Sequence, residues 1–195
     1  MRAAEPLPFR FSAVDHEYVA LDTGEVYPHI TGLLQKAGLV DDRWYTPESR
    51  TRGTAVHRLT TDYDLGALED VDGCTSRYKG WLHAHVACMN ALRPVVLQVE
   101  QPIVHPHYRF GGRPDRIVRL FGVRGPFEIK SGGPEKAHAI QTALQAILDS
   151  MDAGIPADVL GRWAAYYQEN GKYRVEAFTD RRDIDTALKI LKEYA

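Results

Sequence analysis

Apolar positions along this chain alternate between a period of two and a period near 3.6, and the changes of period set out its elements. Residues 8–28 predict a β-hairpin: Phe9, Phe11, Tyr18, Val19 and Leu21 lie on either side of polar turns, and Asp22-Thr23-Gly24 follows as a turn signal. Residues 30–37 predict a short helix, with Thr31 near its start and Gly38 as its stop. Residues 44–47 lead into a second helix over about 48–63. A third helix spans about 76–92, where Trp81, Leu82, His85, Val86 and Met89 share one face and Pro94 ends it. Three strands follow, over about 95–104, 108–121 and 125–131, and then a helix over about 136–152. A strand over 160–168 is joined to one over 173–178 by Asn170-Gly171, a strong hairpin signal. Thr179 and Asp180 are candidate caps for a closing helix over 181–194.

This order, helix, three antiparallel strands, helix, strand pair and closing helix, predicts an α/β sandwich around a mixed sheet. At 195 residues the chain suits a single domain, with a core over 48–195 and a hairpin and short helix over 1–47 as an appendage. Residue usage is that of a globular protein, 44% hydrophobic and 26% charged. A net charge of −2 and a pI near 6.4 exclude a wholly basic nucleic-acid coat and leave room for a local basic groove. Two cysteines, Cys74 and Cys88, exclude a four-cysteine zinc or iron–sulfur site. No apolar run reaches the ~20 residues of a membrane helix, and the first residues hold no signal-peptide core, so the expected location is cytoplasmic. There is no phosphate-binding G-x-x-x-x-G-K-[ST] loop, hence no motor of that kind.

The chemistry concentrates in Gly111-Gly112-Arg113-Pro114-Asp115 and Phe127-Glu128-Ile129-Lys130-Ser131. Two residues apart on a strand, Glu128 and Lys130 project from one face, and Asp115 lies on the preceding strand within reach of it. Two carboxylates and an ammonium converging at a sheet's end suit a hard divalent cation, which can polarise a phosphoryl oxygen and acidify a bound water. Glu-x-Lys alone means little, since roughly one match arises by chance in a chain this long. The combination carries the argument: Pro114-Asp115, twelve intervening residues, then Glu128-Ile129-Lys130. Here the sequence resembles the PD-(D/E)xK nuclease superfamily, in particular its RecB-like and phage-exonuclease-like branch, over about residues 26–168.

Further matches accompany it. Gly53 to His57 resembles the branch's Gly-x-x-x-His helix motif, Glu100-Gln101-Pro102 its acidic residue on the strand before the Asp strand, and Tyr27 to Leu34 its short N-terminal helix. Gln141 resembles the start of its Gln-x-x-x-Tyr motif, although the tyrosine position holds Gln145. Gly53 and His57 share a helical face, so a missing side chain at Gly53 would permit close approach beside His57. Gln141 intrudes on the apolar stripe of Ala137, Ile140, Leu144, Ile147, Leu148 and Met151, and needs partners there.

The resemblance implies a restriction-endonuclease-like αβββαβ core with a mixed central sheet flanked by helices. It implies a Mg²⁺- or Mn²⁺-dependent deoxyribonuclease in which Asp115, Glu128, His57 and the Ile129 carbonyl hold one ion and Glu100 serves that ion or a second. Lys130 would then position the attacking water, Gln141 would support the site, and Gln145 would bond a phosphate. The implied partner is DNA, double- or single-stranded, with homo-oligomerisation and a helicase or recombinase partner left open. The implied work is exonucleolytic or end-processing, in recombination, repair or a phage setting; an endonuclease of the same superfamily and a silent nucleic-acid-binding module are the alternatives. Charge agrees with the implied DNA partner: residues 105–138 hold seven basic and three acidic side chains, a net +4. Arg52, Arg113 and Arg116 are expected phosphate contacts, with Arg50, Arg58, Arg77 and Lys79 extending the groove and Trp44, Tyr45 and Tyr63 available for stacking. His83/His85 and His105/His107 lack zinc-ligand spacing, and Ser12, Asp15 and His16 are too local for a triad.

Overall fold

The computed structural model describes residues 8–13, 17–41, 43 and 46–195. Strands β1 (Phe9–Ser12), β2 (Glu17–Ala20) and β3 (Val26–Tyr27) form an antiparallel sheet, so the predicted hairpin gains a third strand. Helix α1 (Ile30–Lys36) follows, capped by His29, whose Nδ1 accepts the Gly32 N–H at 3.3 Å. Helix α2 (Pro47–Asp64) is capped by Thr46 and places Pro47 in its first turn, where the missing N–H is not needed. Helix α3 (Lys79–Leu92) starts later than its apolar face predicts and ends at Arg93 in the left-handed region, directly before Pro94.

The next stretch departs most from the expected pattern. The strands predicted over 95–104 and 108–121 each break in two, giving β4 (Val95–Val99), β5 (Ile103–His105), β6 (Phe110–Gly112) and β7 (Arg116–Leu120). The breaks fall at Glu100-Gln101-Pro102 and Arg113-Pro114-Asp115, where each proline lacks the N–H a continuing ladder would use. β5 and β6 leave the main sheet as a two-stranded ribbon, while β4 and β7 remain in it, paired antiparallel. Gly111 stitches the ribbon to the N-terminal segment: its N–H donates to Pro28 O at 2.9 Å, and the Tyr18 ring occupies the space of a Cβ.

Strand β8 (Val123–Lys130) pairs antiparallel with β7; helix α4 (Ala137–Ala153) follows, ending at Gly154 with φ +63°. After a 3-10 turn at Ala157–Val159, β9 (Trp163–Tyr167) runs parallel to β8, and β10 (Tyr173–Ala177) returns antiparallel through the Asn170-Gly171 turn. Helix α5 (Arg182–Tyr194) closes the chain; Arg181 takes its cap position while Asp180 accepts the Arg182 N–H at 3.0 Å. The central sheet therefore has the order β10-β9-β8-β7-β4, and α3-β4-β7-β8-α4-β9 reproduces the αβββαβ succession within a mixed α/β fold.

Alternation along β8 assigns its two faces. Phe127 and Ile129 enter the apolar cluster with Val56, Trp81, Cys88 and Tyr167, under α2 and α3. Glu128 and Lys130 point the other way, toward α4, whose own apolar side packs with α1 and α5 around Leu33, Phe110, Leu144, Leu148 and Leu191. No helix among the described residues is long and apolar enough to cross a membrane.

Candidate metal centre and cleft

A cleft of about 570 Å³ opens where α2, the two strand breaks, the end of β8 and α4 meet. His57 reaches it from the middle of α2. Its Nδ1 lies 3.2 Å from Asp115 Oδ1 and 3.9 Å from Glu100 Oε1. One donor atom from each of His57, Glu100 and Asp115 can be chosen so that all lie within 4.8 Å of one another. The strand breaks make this possible: the Glu100 N–H donates to Asp115 O at 3.0 Å, and Glu100 adopts φ +45°, a strained conformation for a residue with a side chain. Thr61, one turn beyond His57 on α2, donates its hydroxyl to Glu100 Oε1 at 3.0 Å.

Glu128, expected to pair with Asp115 as a ligand, lines the same cleft beside this trio. Its Oε2 accepts from Lys130 Nζ at 2.8 Å and Gln141 Nε2 at 3.0 Å, and its Oε1 accepts from Gln145 Nε2. Gln141 closes the arrangement by accepting from Lys130 Nζ at 2.9 Å, so the polar intruder on the α4 stripe has found its partners. The contact Ile129 makes with the site is through its N–H, which donates to Asp115 Oδ2 at 2.7 Å.

Electrostatics separate the two central carboxyls. Burial would raise Asp115, but the charge and hydrogen bond of His57, with Lys130 and the Ile129 N–H, hold it well below the usual carboxylate range. Burial and the neighbouring Asp115 push Glu128 up, against the pull of Lys130 and Gln145. Burial would lower His57, yet Asp115 and Glu128 raise it despite opposition from Lys130.

Other expectations meet a different outcome. Arg116 is wholly buried against Asp64, so it offers nothing to a phosphate backbone. Gln145 is buried at 2% exposure and turned onto Glu128 in the lining of the cleft; its Oε1 has no hydrogen-bond partner among the described residues. Gly53 is not a steric necessity, since an added Cβ would meet only Ser131 Oγ at 3.9 Å. Arg113 remains half-buried at the cleft, 3.5 Å from Glu100 Oε2 and above the Phe11 ring. Arg52 lies beyond His57 on the other side, near Ser131 Oγ and the Trp81 ring. Arg124 is taken up by Asp149 and Asp152, while Arg109 with Glu25, Arg58 with Asp62 and Arg77 with Glu48 form exposed pairs.

Tyr63 packs edge-on against His85. Trp44 and Tyr45, and Asp15 and His16 of the discarded triad, lie outside the described residues. His85 is buried between Asp64 and Tyr167 while His83 faces Asp72, on separate sides of α3. His105 accepts the His107 and Tyr108 N–H groups as a turn acceptor, and burial with its neighbour His107 lowers it to about 4. Two contributors escaped the sequence reading: Thr61, although it stands one turn from His57, and the buried Asp64–His85 pair, whose members only the tertiary fold brings together.

No protein-family model matches the chain, and a search of curated proteins finds no match. Among solved structures it is similar to LHK-Exo, determined in complex with dAMP, at 13% identity and a TM-score of 0.39, covering 86% of this chain and 85% of that one. A likeness of that distance assigns no chemistry to this chain.

Proposed function

We propose that this chain is a divalent-metal-dependent nuclease that hydrolyses phosphodiester bonds in DNA, with exonucleolytic or end-processing activity. The observation that carries the reading is the convergence of His57, Glu100 and Asp115, three residues far apart in sequence, beside Lys130 in one cleft. The PD-(D/E)xK resemblance of Pro114-Asp115 and Glu128-Ile129-Lys130 supports it. The donor set fits the group: two carboxylates suit Mg²⁺, and the imidazole adds suitability for Mn²⁺.

In this reading His57, Glu100 and Asp115 hold the cation, which when bound would polarise a phosphoryl oxygen and acidify a water. Lys130 is oriented by Glu128 Oε2 and Gln141 Oε1, so its ammonium can steer the water and balance charge developing on the phosphate. Glu128 and Gln141 act by fixing that ammonium. Arg113 at the cleft, and Arg52 in the adjoining hollow that it lines with His57 and Lys130, take the flanking phosphates.

The test is cleavage of end-labelled linear and covalently closed circular DNA with Mg²⁺, Mn²⁺ or EDTA, by the parent and by Lys130→Ala. Metal-dependent loss of linear DNA alone, reduced at least ~100-fold in the variant, is the expected result. Nicking of circles would replace the exonuclease with an endonuclease. A variant as active as the parent, or cleavage that persists in EDTA, would overturn the proposal.

A further inference from the structure

We infer that Arg116 is a positioning residue for the proposed metal centre, locked from behind by Asp64 and His85; the inference rests on the metal-dependent reading above. The guanidinium is completely buried and sits immediately after Asp115 in the chain. Its Nη1 donates to Asp115 O at 2.6 Å, its Nε to Asp64 Oδ2 at 2.6 Å, and its Nη2 approaches Thr60 Oγ1 at 3.5 Å. Asp64 Oδ1 in turn bonds His85 Nε2 at 2.9 Å, and His85 Nδ1 bonds Tyr167 OH at 3.0 Å. This chain of polar groups runs from β9 through α3 and α2 to the first residue of β7.

The receiving atom gives the network its significance. Asp115 O accepts from Arg116 and, at 3.0 Å, from the Glu100 N–H, so one carbonyl fixes the backbones of two of the three candidate ligands. Glu100 is held there in a left-handed conformation that favours glycine, and something must over-determine it. Stability alone is a poor reason for the device, because apolar residues of like volume usually serve a buried site as well as an ion pair or better. A rigid shell behind the ligands is a better one, since such partners set the geometry in which a cation is held.

Mn²⁺ titration of the full chain by electron paramagnetic resonance, with thermal unfolding of the same samples, tests this. Arg116→Lys and Asp64→Asn are expected to weaken Mn²⁺ binding by about 10-fold or more. Asp149→Asn, which breaks the buried Arg124–Asp149 pair toward the opposite end of β8, should lower the unfolding temperature and leave Mn²⁺ affinity unchanged. His85→Gln keeps the Arg116–Asp64 pair and should weaken binding a few-fold, giving a milder variant should the others fail to fold. Unchanged affinity in the folded variants, or an equal loss in Asp149→Asn, overturns the positioning role and leaves the metal centre standing. A parent protein that binds no Mn²⁺ overturns the metal-dependent reading itself and this inference with it.

Discussion

Glu128 has both oxygens engaged by Lys130, Gln141 and Gln145, whereas Asp115 gives one oxygen to the Ile129 N–H and turns the other to His57. With three donors on it, Glu128 anchors Lys130, while Asp115 Oδ1 and Glu100 Oε1 face the imidazole. The same scale decides which small residues are needed. Gly53 lies within α2 with open space at its Cβ position, so Gly53→Ala should raise stability by up to about 1 kcal/mol through helix propensity. At Gly125 a Cβ would lie 1.8 Å from the Gly161 carbonyl oxygen, a backbone atom unable to turn aside, so Gly125→Ala should lose about 1–3 kcal/mol or more. Urea midpoints of the two variants moving in the same direction would contradict this account. Gln145 shows what the sequence already held. It stands one turn after Gln141 on α4, so the periodicity that turned Gln141 inward turned Gln145 inward as well, toward Glu128 rather than toward substrate.

At the scale of elements, α2 is the main scaffold of the site. His57, Thr61 and Asp64 stand at i, i+4 and i+7, one helical face, and reach Asp115, Glu100 and Arg116 respectively. Thr61→Val preserves the shape of the side chain and removes only the hydroxyl that orients Glu100 Oε1. It should weaken Mn²⁺ binding by about 10-fold at a stability cost of about 0.5–1.5 kcal/mol; Mn²⁺ affinity equal to the parent's would remove Glu100 from the centre. On α2 His57 was legible in the sequence, whereas Thr61 and Asp64 were not, their partners Glu100 and Arg116 being 39 and 52 residues away. The split strands were half legible. Pro102 and Pro114 signal interruption, yet the departure of β5 and β6 into a separate ribbon depends on packing against Tyr18, Ile30 and Leu148 that no local pattern displays.

For the molecule as a whole, hydrophobic period with turn and cap signals gave the helix, strand, helix, strand-pair and helix succession without the split strands, while the charge map was not legible, since residue counting cannot tell a buried pair from a free cation. Buried and partly buried groups also set how the fold responds to pH. His138 Nδ1 accepts the Glu135 N–H at 3.2 Å and bonds Tyr166 OH, so the ring is held neutral with its proton on Nε2. Burial, with Lys130 nearby, lowers it to about 3, against about 6.5 for an unfolded histidine. Between those two values the unfolded chain binds the additional proton, so stability falls as pH drops below about 6.5 and this loss is complete only near the folded value. His57 acts with the opposite sign: its raised value adds stability below the unfolded value that disappears as pH rises through the folded one. A single pH profile of the parent therefore mixes these with His105, which is lowered like His138, and His138→Asn isolates the share of His138, because Asn Oδ1 can stand where Nδ1 accepts its bond without taking a proton. Urea unfolding at pH 7.5 and pH 5 should show the parent losing more stability than the variant, with the gap opening from pH 6.5 downward. Parallel profiles would mean that His138 is protonated in the folded protein, and the Glu135 N–H would then need another acceptor.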